Sequence, residues 1–69
     1  MNLKYLVMEI QTNSDGTVGN LVFAFDTENE AWSKYYDVLH FAAISSVPMH
    51  SAILVANDGN LISQKCFRH

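Results

Sequence analysis

The 69-residue chain has one cysteine, one proline, three glycines and four basic residues, and each scarcity removes a class of explanation. With Cys66 alone, no internal disulfide can staple a small core, and a lone thiol reads as the free, reduced kind found in cytosolic proteins. Lys4, Lys34, Lys65 and Arg68 are scattered and build no basic run, so extended nucleic acid is not an expected partner. The net charge of −3 supports solubility and is too small for an acidic mimic of DNA. No apolar run approaches the ~20 residues of a membrane span. Glu9 also interrupts the apolar N-terminal stretch before it reaches the length of a signal core. The expected location is the cytoplasm where the chain is made, with no membrane partner.

Apolar side chains are abundant, at 49% of the sequence. A chain this short has material for one core, so residues 1–69 are read as a single domain. Such a domain buries only about 60% of the surface its unfolded chain exposes. It is marginal unless a disulfide, a metal or oligomerisation adds stability.

Residues 3–12 alternate as a strand. The more apolar set, Leu6, Met8 and Ile10, is expected to face the core, with Tyr5, Val7, Glu9 and Gln11 opposite. Asn13-Ser14-Asp15-Gly16 then supplies residues suited to a tight reversal, and Val18 to Phe25 is a second β-rich run, giving a hairpin. Thr27-Glu28-Asn29-Glu30 is a capping box that starts a helix: the Thr27 hydroxyl accepts from the Glu30 amide, and the Glu30 carboxylate returns to the Thr27 amide. Helical spacing gathers Ala31, Trp32, Tyr35, Val38, Leu39 and Ala42 on one apolar arc, with Tyr36 and Ala43 at its edge. Glu30, Ser33, Lys34, Asp37 and His40 form the polar side, which Phe41 and Ile44 interrupt. Pro48 ends the helix near Ser45 or Ser46. Ala52 to Ala56, a turn at Asn57-Asp58-Gly59-Asn60, and Leu61 to Phe67 form a second hairpin.

The expected fold is α+β, with element order ββαββ. Its four-stranded antiparallel sheet has spatial order 2-1-3-4 and one helix packed on one face. The uncovered face is expected to display Tyr5, Val7 and part of the set Leu21, Phe23 and Phe25, with Ile53 and Val55 or their alternates. That is too apolar for water. The surplus predicts self-association through sheet faces, edges or the helix, with Tyr36, Phe41 and Ile44 as candidate interface residues.

The chemical inventory is thin. Cys66-x2-His69 lacks the further ligands of a structural zinc site, so no metal and no cofactor are expected, and both residues read as a solvent-exposed tail. Ser45, Ser46 or Cys66 with His50 lacks the orienting group and oxyanion hole of nucleophilic catalysis, so no enzyme is expected. Ser45 and Ser46 also suit a helix end or a local turn. Asp15-Gly16 and Asp58-Gly59 lack the ligand series of a calcium loop. A small anionic ligand, such as a signalling nucleotide, has one candidate set in Lys34, Tyr36, Ser45, Ser46 and His50, brought together around a subunit seam.

The segments Glu9-Ile10-Gln11-Thr12, Asp15-Gly16-Thr17-Val18, Glu30-Ala31-x-Ser33-Lys34-Tyr35 and Ala42-Ala43-x-Ser45-Ser46-Val47-Pro48-x-His50 span nearly the whole chain. Through them the sequence resembles a group of small proteins encoded by bacteriophages and prophages of Gram-positive bacteria. The resemblance implies a non-enzymatic accessory protein in the host cytoplasm. Such a protein interferes with host processes, antiviral defence among them, by binding a host protein or sequestering a small signalling nucleotide. A minor virion or assembly component is the other role it implies.

Overall fold

Thr27 sets the start of the only helix among the described residues. Its hydroxyl oxygen accepts from the Glu30 amide at 3.3 Å, while its O–H donates to the Glu30 carboxylate at 2.7 Å. The reciprocal bond therefore runs to the threonine hydroxyl rather than to its amide. In the computed structural model, which describes residues 3–69, helix α1 spans Glu28–Ile44. Ser45 ends it in extended geometry, its amide donating to the Ala42 carbonyl. Glu28 and Glu30 occupy the first turn, where carboxylates complement the helix dipole.

The strands are β1 (Tyr5–Thr12), β2 (Val18–Phe25), β3 (Met49–Ala56) and β4 (Leu61–Arg68). They form one sheet of order β2-β1-β3-β4, antiparallel throughout. Each hairpin turns on a glycine in the left-handed region, Gly16 at φ +89° and Gly59 at φ +92°, where a side chain would strain the backbone. In the first turn, Asp15 accepts from the Thr17 hydroxyl at 2.7 Å and the Thr17 amide at 3.0 Å. Those bonds, the hydroxyl's first, hold the Asp15 carboxyl below its ordinary pKa. β3 starts at Met49, directly after Pro48, and not at Ala52: Met49 pairs with Thr12 on one side and Arg68 on the other, so pairing on both flanks carries the strand outward.

Ala31, Tyr35, Val38 and Ala42 are the buried stripe of α1. Ala31, Tyr35 and Val38 meet Val7, Ala52 and Leu54 of the sheet, with Tyr5, Phe25, Trp32, Leu39 and Ile62 around the rim. Alanines of the helix, Ala31 and Ala42, and of β3, Ala52 and Ala56, are all buried; small residues let a helix approach a sheet closely. Ser63 Oγ donates to the Tyr35 hydroxyl at 3.0 Å, tying β4 to α1.

The face assignment of β1 is reversed from the sequence expectation. Val7 is fully buried beneath the helix, whereas Leu6, Met8 and Ile10 lie half-buried on the other side. The cause is register. Val7 stands opposite Leu54 and Phe23, Tyr5 opposite Ala56 and Phe25, and Glu9 opposite Ala52, and side-chain parity fixed in one strand is fixed across the sheet. The uncovered face therefore displays Leu6, Met8, Ile10, Val22, Ile53 and Val55; Tyr5 and Val7, and with them Leu21, Phe23 and Phe25, lie on the helix side, while Ile53 and Val55 are where they were expected.

Among the described residues, only Leu54 and Val7 are large side chains with no measurable exposure. Leu54→Ala should cost about 2–5 kcal/mol, most of what a core this size supplies. Urea denaturation should show the loss; an unchanged midpoint would contradict this placement of the core.

Candidate functional site

The five residues proposed for a small anion are spread over the molecule. Lys34 sits on the β2 flank of α1, its Nζ 4.3 Å from the centroid of the Phe23 ring. Tyr36 lies two residues on, about 200° around the helix, and stacks on Trp32 at 5.5 Å. Ser45 Oγ accepts from the Val47 amide at 3.0 Å, the local turn expected of it, and Ser46 is exposed. His50 is buried in the sheet. None of the five lines either of the surface depressions described below. Tyr36, Phe41 and Ile44 are 60%, 62% and 70% exposed, so all three are available for contact.

His50 has a partner that sequence reasoning missed. Its Nε2 lies 2.7 Å from Glu9 Oε2, with the two side chains 4% and 15% exposed. β1 and β3 bring these residues, 41 apart in sequence, onto the helix side of the sheet. An imidazole donating through Nε2 satisfies the carboxylate. Its Nδ1 is buried and meets no hydrogen-bond partner among the described residues. A ring so enclosed is poorly placed to exchange protons with a substrate, and the pair reads as a polar strut within the core. The other terminal histidine is also engaged: His69 Nε2 donates to the Ala42 carbonyl at 2.9 Å and its amide to Pro48 O at 2.9 Å. His69 is exposed, as expected of the tail, but these two bonds tether it, and Cys66 is exposed as expected.

Two depressions open on the surface. One, of about 400 Å³, lies on the uncovered sheet face among Ile10, Ser51, Ile53, Gln64 and Cys66. The other, of about 210 Å³, lies beside Glu9, Gln11, Gly19 and Leu21 at the β1–β2 rim. The larger one belongs to a wide apolar surface. Leu6, Met8 and Ile10 of β1, Val18, Val22 and Ala24 of β2, and Met49, Ile53 and Val55 of β3 share that face by register. Arg68 is its one charged strand residue, at a corner, and no strand carboxylate falls on it. The helix contributes nothing to that face, because it packs on the opposite one. Among the described residues, no group of three or more His, Cys, Asp or Glu side chains is arranged to hold a metal ion, and no helix is long and apolar enough to cross a membrane.

No protein-family model matches the chain, and comparison with curated proteins and with solved structures gives no significant match.

Removing one member of a buried pair strands the other. Glu9→Ala should therefore destabilise the fold by about 1–3 kcal/mol, and Glu9→Gln, which keeps an acceptor oxygen, by less. Chemical denaturation of both variants checks this. Equal and negligible losses would show that the His50 ring does not depend on Glu9.

Proposed function

We propose that this chain is a non-enzymatic accessory protein of a phage or prophage, which assembles with copies of itself and interferes with host processes, antiviral defence foremost, by binding in the host cytoplasm. The observation that carries the reading is the uncovered sheet face, predominantly apolar over β2, β1 and β3, where Thr12, Asn20 and Ser51 are its only polar side chains, and free of strand carboxylates. Four eight-residue strands at ~3.3 Å per residue and ~4.8 Å spacing offer roughly 500 Å² before side-chain relief is counted. That approaches the ~800 Å² per partner of a stable interface.

The chemistry of this face fits a second copy. The acidic residues, Glu9, Asp15, Asp26, Glu28, Glu30, Asp37 and Asp58, sit on the helix, in turns or on the helix side of the sheet. Two copies packed sheet to sheet bury surface whose one strand charge, Arg68, lies at a corner, and turn their acidic residues outward. The origin and the host role rest on the resemblance described above. A nucleotide sponge has weaker support, because Lys34 and Tyr36 diverge and His50 is enclosed. A virion role draws on no feature of the fold.

Ile53→Asp places a charge in the centre of the open face and should lower the molar mass measured by light scattering at micromolar concentration; an unchanged mass removes the face as an interface. Deletion of the gene from its phage should reduce growth in at least one defended host and spare growth in an undefended one. Equal growth in all hosts removes the anti-defence role.

A further inference from the structure

Strand β2 reads Val18-Gly19-Asn20-Leu21-Val22-Phe23-Ala24-Phe25, with no charge and no proline, and it forms an edge of the sheet. Edge strands are ordinarily guarded against pairing by charges, prolines, bulges or a covering element. The opposite edge has such guards: β4 carries Lys65 and Arg68, and its pairing with β3 is broken by a register shift at Leu54/Val55. β2 has none. Apart from Asn20 its side chains are apolar on both faces, yet Val18, Leu21 and Val22 are 59%, 56% and 53% exposed. Apolar residues on both faces are the pattern of a strand covered on both sides, and one chain alone leaves this one at the rim with its outward backbone groups unpaired by another strand.

The hairpin fixes which backbone groups of β2 are free. Asn13 N donates to Thr17 O at 2.8 Å, so alternation along the antiparallel ladder makes Gly19, Leu21, Phe23 and Phe25 the residues bonded to β1. The far side of β1 agrees in phase: Asn57 N donates to Lys4 O at 3.0 Å, so the even-numbered residues of β1 bond to β3. Val18, Asn20, Val22 and Ala24 therefore aim their N–H and C=O groups away from the sheet.

We propose that β2 pairs antiparallel with β2 of a second copy, across a two-fold axis normal to the sheet, so that two four-stranded sheets become one continuous sheet. The occupant is a copy of this chain because the strand is self-complementary. Antiparallel pairing with both helices on one face requires opposed residues of equal parity, and only even-numbered residues have free backbone groups. With no charged residue in the strand, the axis sets no like charges opposite each other. Phe41 lies two turns beyond Lys34, whose ammonium rests over Phe23, so Phe41 is on the β2 flank. Pairing places one Phe41 from each copy beside the groove above the seam. The inference rests on the reading of the chain as self-assembling, but uses an edge where that reading uses a face.

Asn20→Pro tests it, because it deletes an outward N–H, breaks no bond to β1 and leaves the apolar side chains in place. Light scattering should give half the wild-type molar mass for a variant whose circular dichroism is unchanged; the wild-type mass would overturn the proposal. Hydrogen exchange on the unaltered protein gives a reading independent of that variant's folding. The amides of Asn20, Val22 and Ala24 should exchange as slowly as those of Leu21 and Phe23, while outward amides of β4, such as Cys66, exchange quickly. Fast exchange at all three β2 positions would overturn the pairing. Ile53→Asp should leave the β2 protection intact, so loss of mass in that variant alone, with Asn20→Pro unaffected, keeps the face and eliminates the edge.

Discussion

A sheet has two faces, and a single helix of 17 residues covers one of them. Every other feature of this molecule follows from that mismatch. Helix α1 rests chiefly on β3 and β1, held close by alanines, and the described chain extends only 15 Å along its shortest axis. The alternation of β3 records the result: His50, Ala52, Leu54 and Ala56 are buried, and Met49, Ser51, Ile53 and Val55 are not. A protein of two layers with a polar outer face would be complete at this point. Here the outer face carries the larger aliphatic side chains, and the edge strand β2 is mostly apolar on both sides.

The order and pairing of the strands were legible in the sequence because the signals were local. Glycine turns, a capping box and a proline mark the element ends, and connection lengths leave few topologies for ββαββ. The choice of face in β1 was not legible. Leu6, Met8 and Ile10 are more apolar than Tyr5, Val7 and Glu9, and burial ordinarily follows the more apolar set. The helix instead selects the face where β3 presents small residues, so the decision lies in the register between β1 and β3 and not within either strand. The same blindness hid the Glu9–His50 pair. Both residues sit on the selected face, and a glutamate assigned to solvent gave no reason to look for a buried partner across the sheet. The five-residue ligand set failed to gather in one chain for a simpler reason: Lys34 and Tyr36 are near neighbours in sequence but diverge around the helix.

The polar groups of the interior have structural tasks. Glu9 satisfies His50, Ser63 and Tyr35 bind β4 to the helix, and at the surface His69 adds a second donor to the Ala42 carbonyl in the last turn of α1, which has no basic residue of its own. Such groups orient elements around a small core. The unsatisfied surface is apolar or backbone, and it suits association better than bond-making chemistry. A face and an edge are geometrically compatible in one assembly, since an axis normal to a sheet and an axis within its plane combine into closed symmetry. In that arrangement the acidic helices remain outside.

If folding of this chain depends on its copies, stability must depend on protein concentration. The decisive measurement is the urea midpoint of unfolding from low to high micromolar concentration. A midpoint that climbs steadily with concentration is the result this account predicts. A midpoint that stays constant, with a single cooperative transition throughout, would mean that one chain is stable with its apolar face and edge in water, and would contradict it.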